Sequence, residues 1–333
     1  MAKCEGCGVE LQTTSITEDG YTPLKKNKLC NRCFQIKHYN NYIKTHKKHA
    51  DYEAILSNIN KTRSLVLLIS DFFNEGEDLR EIRNYFDNDI ILVLNKRDAL
   101  PLSINDEKII EYYQNKYPDL FIDIVIVSST KNYNFDKLYR TILDKKKTKK
   151  VYVVGNSNVG KSTLINKMIS NYGIYDMDLT VSPYLSTTLD EVVVKIDDDL
   201  TLIDTPGLVD MSNFNSHIDN QEAKNLKISK EIKPITYQIK KKQALLIGDY
   251  FRIDYLEGEK NSFTFYMSNN IKAKKVFFAG STRLKNLPMR TFELNYGEDL
   301  VIKGLGFIKI VKECKINVYG NVNVDIYIRK SLV

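Results

Sequence analysis

The chain has 333 residues, of which 43% are apolar and 27% are charged, with 49 lysines and arginines against 42 aspartates and glutamates. This composition is that of an ordinary globular protein, long enough for two or three domains, and it disfavours a disordered chain. The formal charge of +7 suits a polyanionic partner such as RNA, although it says nothing about the fold.

The longest apolar runs are too short to cross a membrane. LVLLI from Leu65 and IILVL from Ile90 fall far below the roughly 20 residues that a bilayer requires. The first residues, MAKCEGCG, lack the apolar segment and cleavage site of a signal peptide. We therefore expect a cytoplasmic protein with no membrane partner, which is a monomer when free.

Four of the five cysteines form two C-x2-C pairs near the N-terminus, Cys4 with Cys7 and Cys30 with Cys33. Two such pairs on either side of a loop are typical of a zinc site in which four thiolates surround a tetrahedral ion. Two disulfides or four unrelated thiols are the alternatives. A reducing compartment disfavours disulfides, and unrelated cysteines would rarely fall into two such pairs. Cys314, inside a strand-like run, is expected to be a buried apolar residue.

After this module, strands and helices alternate in the pattern of a mostly parallel sheet with helices on both faces. The predicted elements in chain order are SLVLLISDFF (strand), DLREIRNYF (helix), DIILVLN (strand), NDEKIIEYYQNKY (helix), IDIVIVSST (strand) and FDKLYRTILDKKK (helix). A further strand, VYVV from Val151, leads into a glycine-containing loop and then a helix.

That loop has the spacing G-x4-G-K-S, from Gly155 to Ser162, which is the phosphate-binding P-loop. Its backbone amides and the N-terminus of the following helix converge on phosphate oxygens, Lys161 reaches the β and γ phosphates, and Ser162 binds Mg²⁺. The predicted nucleotide contacts in this stretch are Asn156, Ser157, Asn158, Val159, Gly160, Lys161, Ser162 and Thr163.

A second phosphate motif, TLIDTPG, comes one strand later. Asp204 would hold Mg²⁺, and the amide of Gly207 would approach the γ-phosphate. Between the two motifs, Thr188, or less favourably Thr187, would place a hydroxyl on Mg²⁺ and the γ-phosphate. Leu208 stands where Ras-like enzymes carry a glutamine that orients water, so hydrolysis should be slow.

The stretch NKRD, from Asn95 to Asp98, matches the guanine-reading motif N-K-x-D. The Asp98 carboxylate would accept hydrogen bonds from guanine N1–H and N2–H₂, a donor pair that adenine lacks. VSSTKNYNF resembles the loop that offers a backbone amide, here that of Ser129, to guanine O6. The residues expected around the base are Asn95, Lys96, Asp98, Ser128 and Ser129.

Both guanine motifs precede the P-loop, whereas in the usual GTPase they follow it. We therefore predict a circularly permuted P-loop GTPase domain, because domain termini often lie close together and can be joined. DKKKTKK from Asp144 would be the joining segment, and its charges are equally consistent with a solvated linker.

From about Ala244 the pattern changes to short alternating strands, including DLVIKGLGFIKIV and KINVYGNVNVDIYIRKSL. In the latter, one face would carry Val318, Val322, Val324, Ile326 and Ile328, which predicts an antiparallel sheet with one wet face. The lysines of IKKKQ and IKAKK and the exposed tyrosines could bind RNA or form an ordinary solvated surface. The expected domains are a zinc module (1–50), the GTPase domain (51–215), a connection (216–243) and a β-rich domain (244–333).

The permuted order, together with CEGCG…CNRCFQIKHYN, GNSNVGKSTLIN, DTPG and DLVIKGLGFIKI, resembles the YqeH family of permuted, zinc-containing ribosome-assembly GTPases. The resemblance covers nearly the whole chain. It implies a GTPase acting in maturation of the small ribosomal subunit, with a β-rich C-terminal part that contacts RNA or protein. The chain departs from the family at Leu185 and Ser186, where Pro-Gly is common, and at Ser129 and Thr130, where Ala and Lys are usual.

In related GTPases the position of Asn158 helps to hold a potassium ion beside the phosphates, and such a cation could replace an arginine finger. The alternative is a loop residue that bonds its own backbone. Lys161, Thr188, Gly207 and Asn158 are thus the residues expected to support hydrolysis, with GTP or GDP, Mg²⁺, Zn²⁺ and K⁺ as the implied ligands.

We therefore expect a GTP-binding, slowly hydrolysing switch that docks on ribosomal RNA or proteins of the small subunit, and no DNA partner. An RNA-binding scaffold or chaperone in which hydrolysis is dispensable is the alternative. A zinc-dependent DNA-binding regulator with a degenerate nucleotide site and a permuted GTPase of the large subunit are the further rivals.

Overall fold

The computed structural model describes residues 2–5, 9–14, 20–24, 26–31, 34, 55–76, 78–173, 192–207 and 210–333. The chain divides into two compact units. The first unit comprises Met1–Asp71, Arg80–Arg97 and Tyr117–Val209, and the second comprises Phe72–Leu79, Asp98–Lys116 and Asp210–Val333.

A six-stranded sheet organises the first unit. Its strands are β1 (Leu65–Asp71), β2 (Ile90–Asn95), β3 (Asp123–Ile126), β4 (Lys150–Val154), β5 (Val192–Lys195) and β6 (Thr201–Asp204). Their order across the sheet is β3-β2-β1-β4-β6-β5. Every pairing is parallel except that of β5 with β6. Strand β4, which leads into the P-loop, pairs with β1, so the strands that carry the guanine motifs join the same sheet although they come first in the chain. This arrangement confirms the predicted P-loop domain with a permuted order.

The α-helices with both ends inside the described residues are α1 (Asp106–Lys116), α2 (Phe135–Lys145), α3 (Lys161–Tyr172) and α4 (Asn220–Leu226). Helices α2 and α3 share one hydrophobic core with alternate residues of the sheet, among them Leu67, Val93 and Val153. Their rings Tyr139 and Tyr172 stack with centroids 4.1 Å apart. The other face of the strands is buried as well, which explains why the strands are apolar at nearly every position.

The predicted helix DLREIRNYF is instead a 3₁₀ helix over Leu79–Asn84. None of its six residues is buried. A helix without an apolar stripe gains little from packing, and a segment this short cannot hold an α-helix by backbone bonds alone.

Two five-stranded antiparallel sheets organise the second unit. Their strands are β7 (Ile235–Ile239), β8 (Gln243–Ile247), β9 (Phe251–Glu257), β10 (Asn261–Met267), β11 (Ala273–Phe277), β12 (Met289–Leu294), β13 (Glu298–Ile302), β14 (Gly306–Ile310), β15 (Cys314–Tyr319) and β16 (Ile326–Lys330). One sheet has the order β16-β13-β14-β10-β7 and the other has the order β11-β8-β9-β15-β12. The predicted β-rich C-terminal region is confirmed, and β7 lies within the stretch 216–243 that the sequence predicts to be a connection.

Two predicted strands are each split by a turn. DLVIKGLGFIKIV forms β13 and β14, which pair with each other across a turn at Lys303–Leu305. KINVYGNVNVDIYIRKSL forms β15 and β16, which belong to different sheets. The shared apolar face predicted for this last segment is confirmed for Val318, Val324, Ile326 and Ile328, which pack in one core. It is wrong for Val322, which is 63% exposed in the turn.

The inner faces of both sheets share a single hydrophobic core. Cys314 is part of it, as predicted, and burial raises the pKa of its thiol to about 12. Among the described residues, no helix is long and apolar enough to span a bilayer.

Candidate functional site

The predicted nucleotide site lies along the carboxyl edge of the six-stranded sheet. β1 ends at Asp71 and β2 at Asn95, and these two residues are paired in the sheet register. Gly155 directly follows β4, and Asp204 ends β6 opposite Val153. Because parallel strands present their carboxyl ends at one edge, residues from four strands meet there, as in other open α/β sheets that bind ligands.

The P-loop requires its two glycines for space. Gly155 has φ +154°, and an added Cβ would lie 2.3 Å from the carbonyl oxygen of Ile69 on β1. Gly160 has φ +98° and directly precedes α3. The loop therefore passes close to β1 and delivers the free amides of the first turn of α3 to the site.

Lys161 is 3% exposed at the start of α3. Its Nζ donates a hydrogen bond to the carbonyl oxygen of Gly155 at 2.7 Å. The ammonium group is thus folded back across the loop, where a phosphate cradled by the loop amides would meet it.

Asn95 connects the guanine motif with two other loops. Its Nδ2 donates to the P-loop carbonyl of Val159 at 3.0 Å. Its Oδ1 accepts from the amide and the hydroxyl of Ser129, at 3.1 and 3.0 Å. The side chain is 2% exposed, so these bonds are shielded from water. Motifs separated by 64 residues therefore meet in one place.

Ser129 has a role that the sequence does not predict. The motif directs its amide to guanine O6, but in the structure this amide donates to Asn95. The neighbouring loop is fixed by Ser128, whose Oγ accepts from the amide of Lys131 at 3.0 Å. Ser128 and Ser129 thus shape the loop beside Asn95 through side chains as well as backbone.

Asp71 is a site residue that sequence reasoning missed. It is fully buried, and its Oδ2 forms an ion pair with Lys96 Nζ at 2.5 Å. Lys96 has φ +66°, an uncommon conformation for a residue with a side chain. The available signal was a carboxylate that ends a seven-residue apolar strand, since a buried charge needs a partner.

Asp98 lies in the 3₁₀ turn Arg97–Ala99 that directly follows the guanine-motif strand. Within the first unit, the amide of Arg97 donates to the carbonyl of Val127 at 3.1 Å, which holds the start of this turn beside the strand β3. Asp98 itself belongs to the second unit.

The predicted magnesium ligands Ser162 and Asp204 lie in the first turn of α3 and at the end of β6. The hydroxyl and amide of Thr205 both donate to the carbonyl of Val153, which fixes the chain beyond Asp204. The hydroxyl of Ser157 donates to the carbonyl of Gly207 at 3.5 Å, so the P-loop touches the second phosphate motif. Oxygen ligands of this kind suit Mg²⁺. Thr187, Thr188, Leu185, Ser186 and Leu208 lie outside the described residues.

Asn158 is exposed on the P-loop with φ +67°. Its side chain forms no hydrogen bond with another described residue.

Two of the four N-terminal cysteines, Cys4 and Cys30, lie in the part of the chain that the structure describes. Cys4 and Cys30 are each 2% exposed, and the amide of Cys30 donates to Sγ of Cys4 at 3.1 Å. Cys7 and Cys33 lie outside the described residues. In the described part of the chain, no three His, Cys, Asp or Glu side chains form a metal-binding group.

Comparison with known proteins gives matches along the whole chain. Residues 150–267 match a family model described as 50S ribosome-binding GTPase. The chain is 31% identical to the protein YqeH of Bacillus subtilis strain 168, over 99% of each chain. It is 30% identical to the small ribosomal subunit biogenesis GTPase RsgA 1 of Bacteroides thetaiotaomicron, over 55% of this chain and 49% of that one.

Among solved structures, YjeQ from Thermotoga maritima is similar, with 23% identity and a TM-score of 0.31, covering 44% of this chain and 48% of that chain.

Proposed function

Because the chain belongs to the YqeH family of circularly permuted GTPases, we propose that it is a GTP-binding switch that hydrolyses GTP slowly and assists assembly of the small ribosomal subunit. Its nucleotide state would control docking on ribosomal RNA or protein.

One observation carries the nucleotide part of this proposal. The Asn95 side chain bonds both the P-loop carbonyl of Val159 and the amide of Ser129. A phosphate-binding loop and a guanine-reading loop that were unconnected would have no reason to share one buried amide. The contact supports one nucleotide site in the first unit, where Asn95 and Ser129 lie beside the P-loop and Lys161 would bind the phosphates. Asp98, the last residue of the same N-K-x-D motif, would select guanine.

Nucleotide titration of the purified protein tests this pocket. GTP and GDP should bind, and ATP should not compete, since adenine would leave the Asp98 carboxylate without its two donors. Asp98→Asn should weaken GTP binding by about 10- to 100-fold for each charge-assisted bond that it removes. The same variant should gain affinity for xanthosine triphosphate, whose C2 carbonyl matches an amide donor. ATP binding as tightly as GTP would disprove the proposal.

For hydrolysis, Lys161 and the amide of Gly207 would stabilise charge on the γ-phosphate, and Ser162, Asp204 and Thr188 would hold Mg²⁺. A bound Mg²⁺ supplies neutralising charge to the phosphate oxygens. The residue after Gly207 is Leu208, whose apolar side chain cannot orient water. We therefore expect slow turnover of the protein alone.

Asn158 would bind a potassium ion beside the phosphates. Turnover should be faster in KCl than in NaCl at equal ionic strength, and Asn158→Ala should remove this difference without changing GDP affinity. Equal rates in both salts for the unaltered protein would assign Asn158 to the loop alone.

Cys4, Cys7, Cys30 and Cys33 would bind Zn²⁺. The described half fits this site, because a backbone amide that donates to cysteine sulfur, as Cys30 does to Cys4, stabilises a thiolate ligand. Cys4 and Cys30 pack on Val9, Leu11 and Leu29. This core is small, so a bound metal ion would contribute much of the stability of the module.

Thiol counting tests the zinc site with an internal control. The zinc-loaded protein should show no reactive cysteine at pH 8, and a chelator should release one zinc and expose four. Cys314 should react only on denaturation, because its pKa of about 12 keeps the buried thiol protonated. One metal-independent thiol fewer after Cys314→Ala confirms the assignment, and four thiols reactive without chelator would contradict it.

An exposed basic surface on the second unit supports an RNA partner. We define the basic edge as Lys240, Lys241, Lys242, Lys274, Lys275, Arg283 and Lys285, all exposed. It is centred on β11, which is an edge strand. The side chain of Lys275 donates to the carbonyl of Gln238 at 3.0 Å, and the amide of Phe278 donates to the carbonyl of Lys242 at 3.0 Å. Lys275 therefore lies beside β7, which leads to Lys240, and Lys242 lies beside the end of β11.

The loop that carries Arg283 is fixed by hydrogen bonds from the Arg252 side chain. This buried side chain donates to the carbonyls of Ser281 and Arg283, at 2.8 and 3.2 Å. Phe277, the last residue of β11, is 59% exposed. Positive charge next to an exposed ring suits RNA, since phosphates bind the former and unpaired bases stack on the latter.

The identity of the subunit is tested by sedimentation with ribosomal particles. We expect association with small-subunit particles in the presence of a GTP analogue and release with GDP, a partner that fits a cytoplasmic protein. The name of RsgA 1 favours the small subunit, whereas the name of the matching family model favours the large one. Association with large-subunit particles alone would instead assign the protein to assembly of the large subunit.

A further inference from the structure

The segment Asp210–Ser216 follows the second phosphate motif almost directly. Only Leu208 and Val209 separate Asp210 from Gly207 along the chain. Yet this segment belongs to the second unit. The chain therefore passes from the expected γ-phosphate sensor to the β-rich unit within three residues.

Lys303, in the turn between β13 and β14, receives this segment. Its Nζ contacts Asp210 Oδ2 at 2.7 Å and Ser212 Oγ at 2.8 Å, and lies 3.5 Å from Asp325 Oδ2. Lys303 is only 6% exposed. A buried ammonium is costly unless its donors are used, so these three oxygens define its position. We call these four residues the Lys303 latch.

Backbone bonds around the latch attach the segment Asp210–Ser216 to the rest of the second unit. The amide of Phe214 donates to the carbonyl of Lys303 at 2.9 Å, and the amide of Asp325 donates to the carbonyl of Ser212 at 2.9 Å. The amide of Lys303 donates to the carbonyl of Asp325 at 3.0 Å. The segment is therefore bonded both to the β13–β14 turn and to the start of β16.

The neighbouring turn is shaped to fit this segment. Gly304 has φ +86°, and an added Cβ would lie 2.0 Å from Asn213 Oδ1. Nδ2 of Asn215 donates to the carbonyl of Gly304 at 2.8 Å. Phe214 is buried in the core, with its ring centroid 5.0 Å from that of Tyr250. A loose linker would require none of these contacts.

Asp210 is held in its charged form. Burial raises the pKa of its carboxyl, but hydrogen bonds from Lys303 and Ser212 outweigh burial and bring the pKa below its ordinary value. The ion pair with Lys303 thus persists at neutral pH.

We propose that Lys303 is a positioning residue that makes the segment after Gly207 part of the β-rich unit, so that a movement of the γ-phosphate sensor is transmitted to the β13–β14 turn. This inference rests on the proposed GTP switch. It adds the residue through which that switch is read by the C-terminal part of the chain.

Hydrogen–deuterium exchange of the full-length protein tests the latch. Residues 298–310 should exchange at different rates with a non-hydrolysable GTP analogue and with GDP. Lys303→Met should reduce that difference at least threefold, while the affinity for both nucleotides stays within about twofold. The matched control is Lys312→Met, since Lys312 is half exposed and pairs with Glu259 on the surface. It should preserve the difference.

A merely structural role would change exchange equally in both nucleotide states, so the difference between states is the decisive readout. If Lys303→Met does not fold, Asp210→Asn removes the same ion pair with little change in shape and should give the same reduction. A full nucleotide-dependent difference in either variant would overturn the latch. So would an unaltered protein that binds GTP but shows no such difference. Failure of the unaltered protein to bind GTP would instead remove the proposed function, and the latch with it.

Discussion

The side-chain amide of Asn95 joins three loops of the proposed nucleotide site, and Gly160 makes room for it. An added Cβ at Gly160 would lie 2.3 Å from Asn95 Nδ2. Gly160 also has φ +98°, so a substitution there meets both strain and a clash. The two effects can be separated, because Gly297 has φ +78° with nothing within 4 Å of an added Cβ.

Gly160→Ala should therefore abolish GTP binding or weaken it by more than about tenfold, because Asn95 must leave Val159 and Ser129. Gly297→Ala should cost only the left-handed conformation, about 1–2 kcal/mol, and leave GTP affinity unchanged. Calorimetric titration and thermal unfolding of both variants provide the measurement. Equal GTP affinity in the two variants would mean that Asn95 is not required in its observed position.

At this scale the sequence predicts the residues that have a motif and misses those that serve them. Lys161 and Asn95 can be predicted because each belongs to a motif in which the chemistry fixes the spacing of the residues. Asp71 and Lys303 have no such spacing: each is defined by a partner, Lys96 or Asp210, that only the folded chain brings near. The motif assigns the amide of Ser129 to the base because a sequence cannot show that the Asn95 side chain reaches it.

Strand β11 is the element on which the proposed RNA contact is centred. As an edge strand it presents Lys274 and Lys275 to solvent, which also protects the edge from pairing with other chains. If the basic edge binds RNA, its contribution is electrostatic and depends on salt.

Lys274→Glu with Lys275→Glu should weaken association with ribosomal particles and reduce its salt dependence, by a slope of about 0.7 for each phosphate that the variant no longer binds. The matched control is Lys312→Glu with Lys330→Glu, which makes the same charge change at exposed lysines away from β11. Sedimentation at two or more salt concentrations distinguishes them. Equal weakening by both pairs would indicate a response to net charge rather than to this strand.

The strands of the parallel sheet were predictable because burial on both faces leaves continuous apolar runs such as LVLLI. The turns of the C-terminal part were harder to place. The stretch from Asp299 to Val311 reads as one strand, and only the positive φ of Gly304 and Gly306 divides it into β13 and β14. The prediction of an α-helix at Leu79–Asn84 was wrong for a different reason. The residues there favour a helix, but none of them is buried, so packing does not stabilise one.

On the scale of the molecule, two units share one chain that crosses between them several times. A nucleotide that binds the folded protein and not the unfolded chain raises the free energy of unfolding. The increase is about 2.7 kcal/mol when the nucleotide concentration is 100 times the Kd. The permuted order was predictable, since it follows from where two motifs stand in the sequence. The division of residues between the units was not, because it depends on long-range packing.

GDP with Mg²⁺ should therefore raise the melting temperature by several degrees, and ATP should leave it unchanged. Lys161→Ala should remove most of the GDP effect without lowering the melting temperature of the nucleotide-free protein by as much. Differential scanning calorimetry measures both quantities. A comparable rise with ATP would show that base selection does not occur.

Strand β1 pairs with β2 on one side and with β4 on the other. During translation, β1, β2 and β3 leave the exit tunnel well before β4, so the nascent sheet has an apolar border that nothing yet occupies. Such a border is prone to wrong pairing. The proposed nucleotide site needs the P-loop that follows β4, so we expect the growing chain to bind GTP only after β4 has paired with β1.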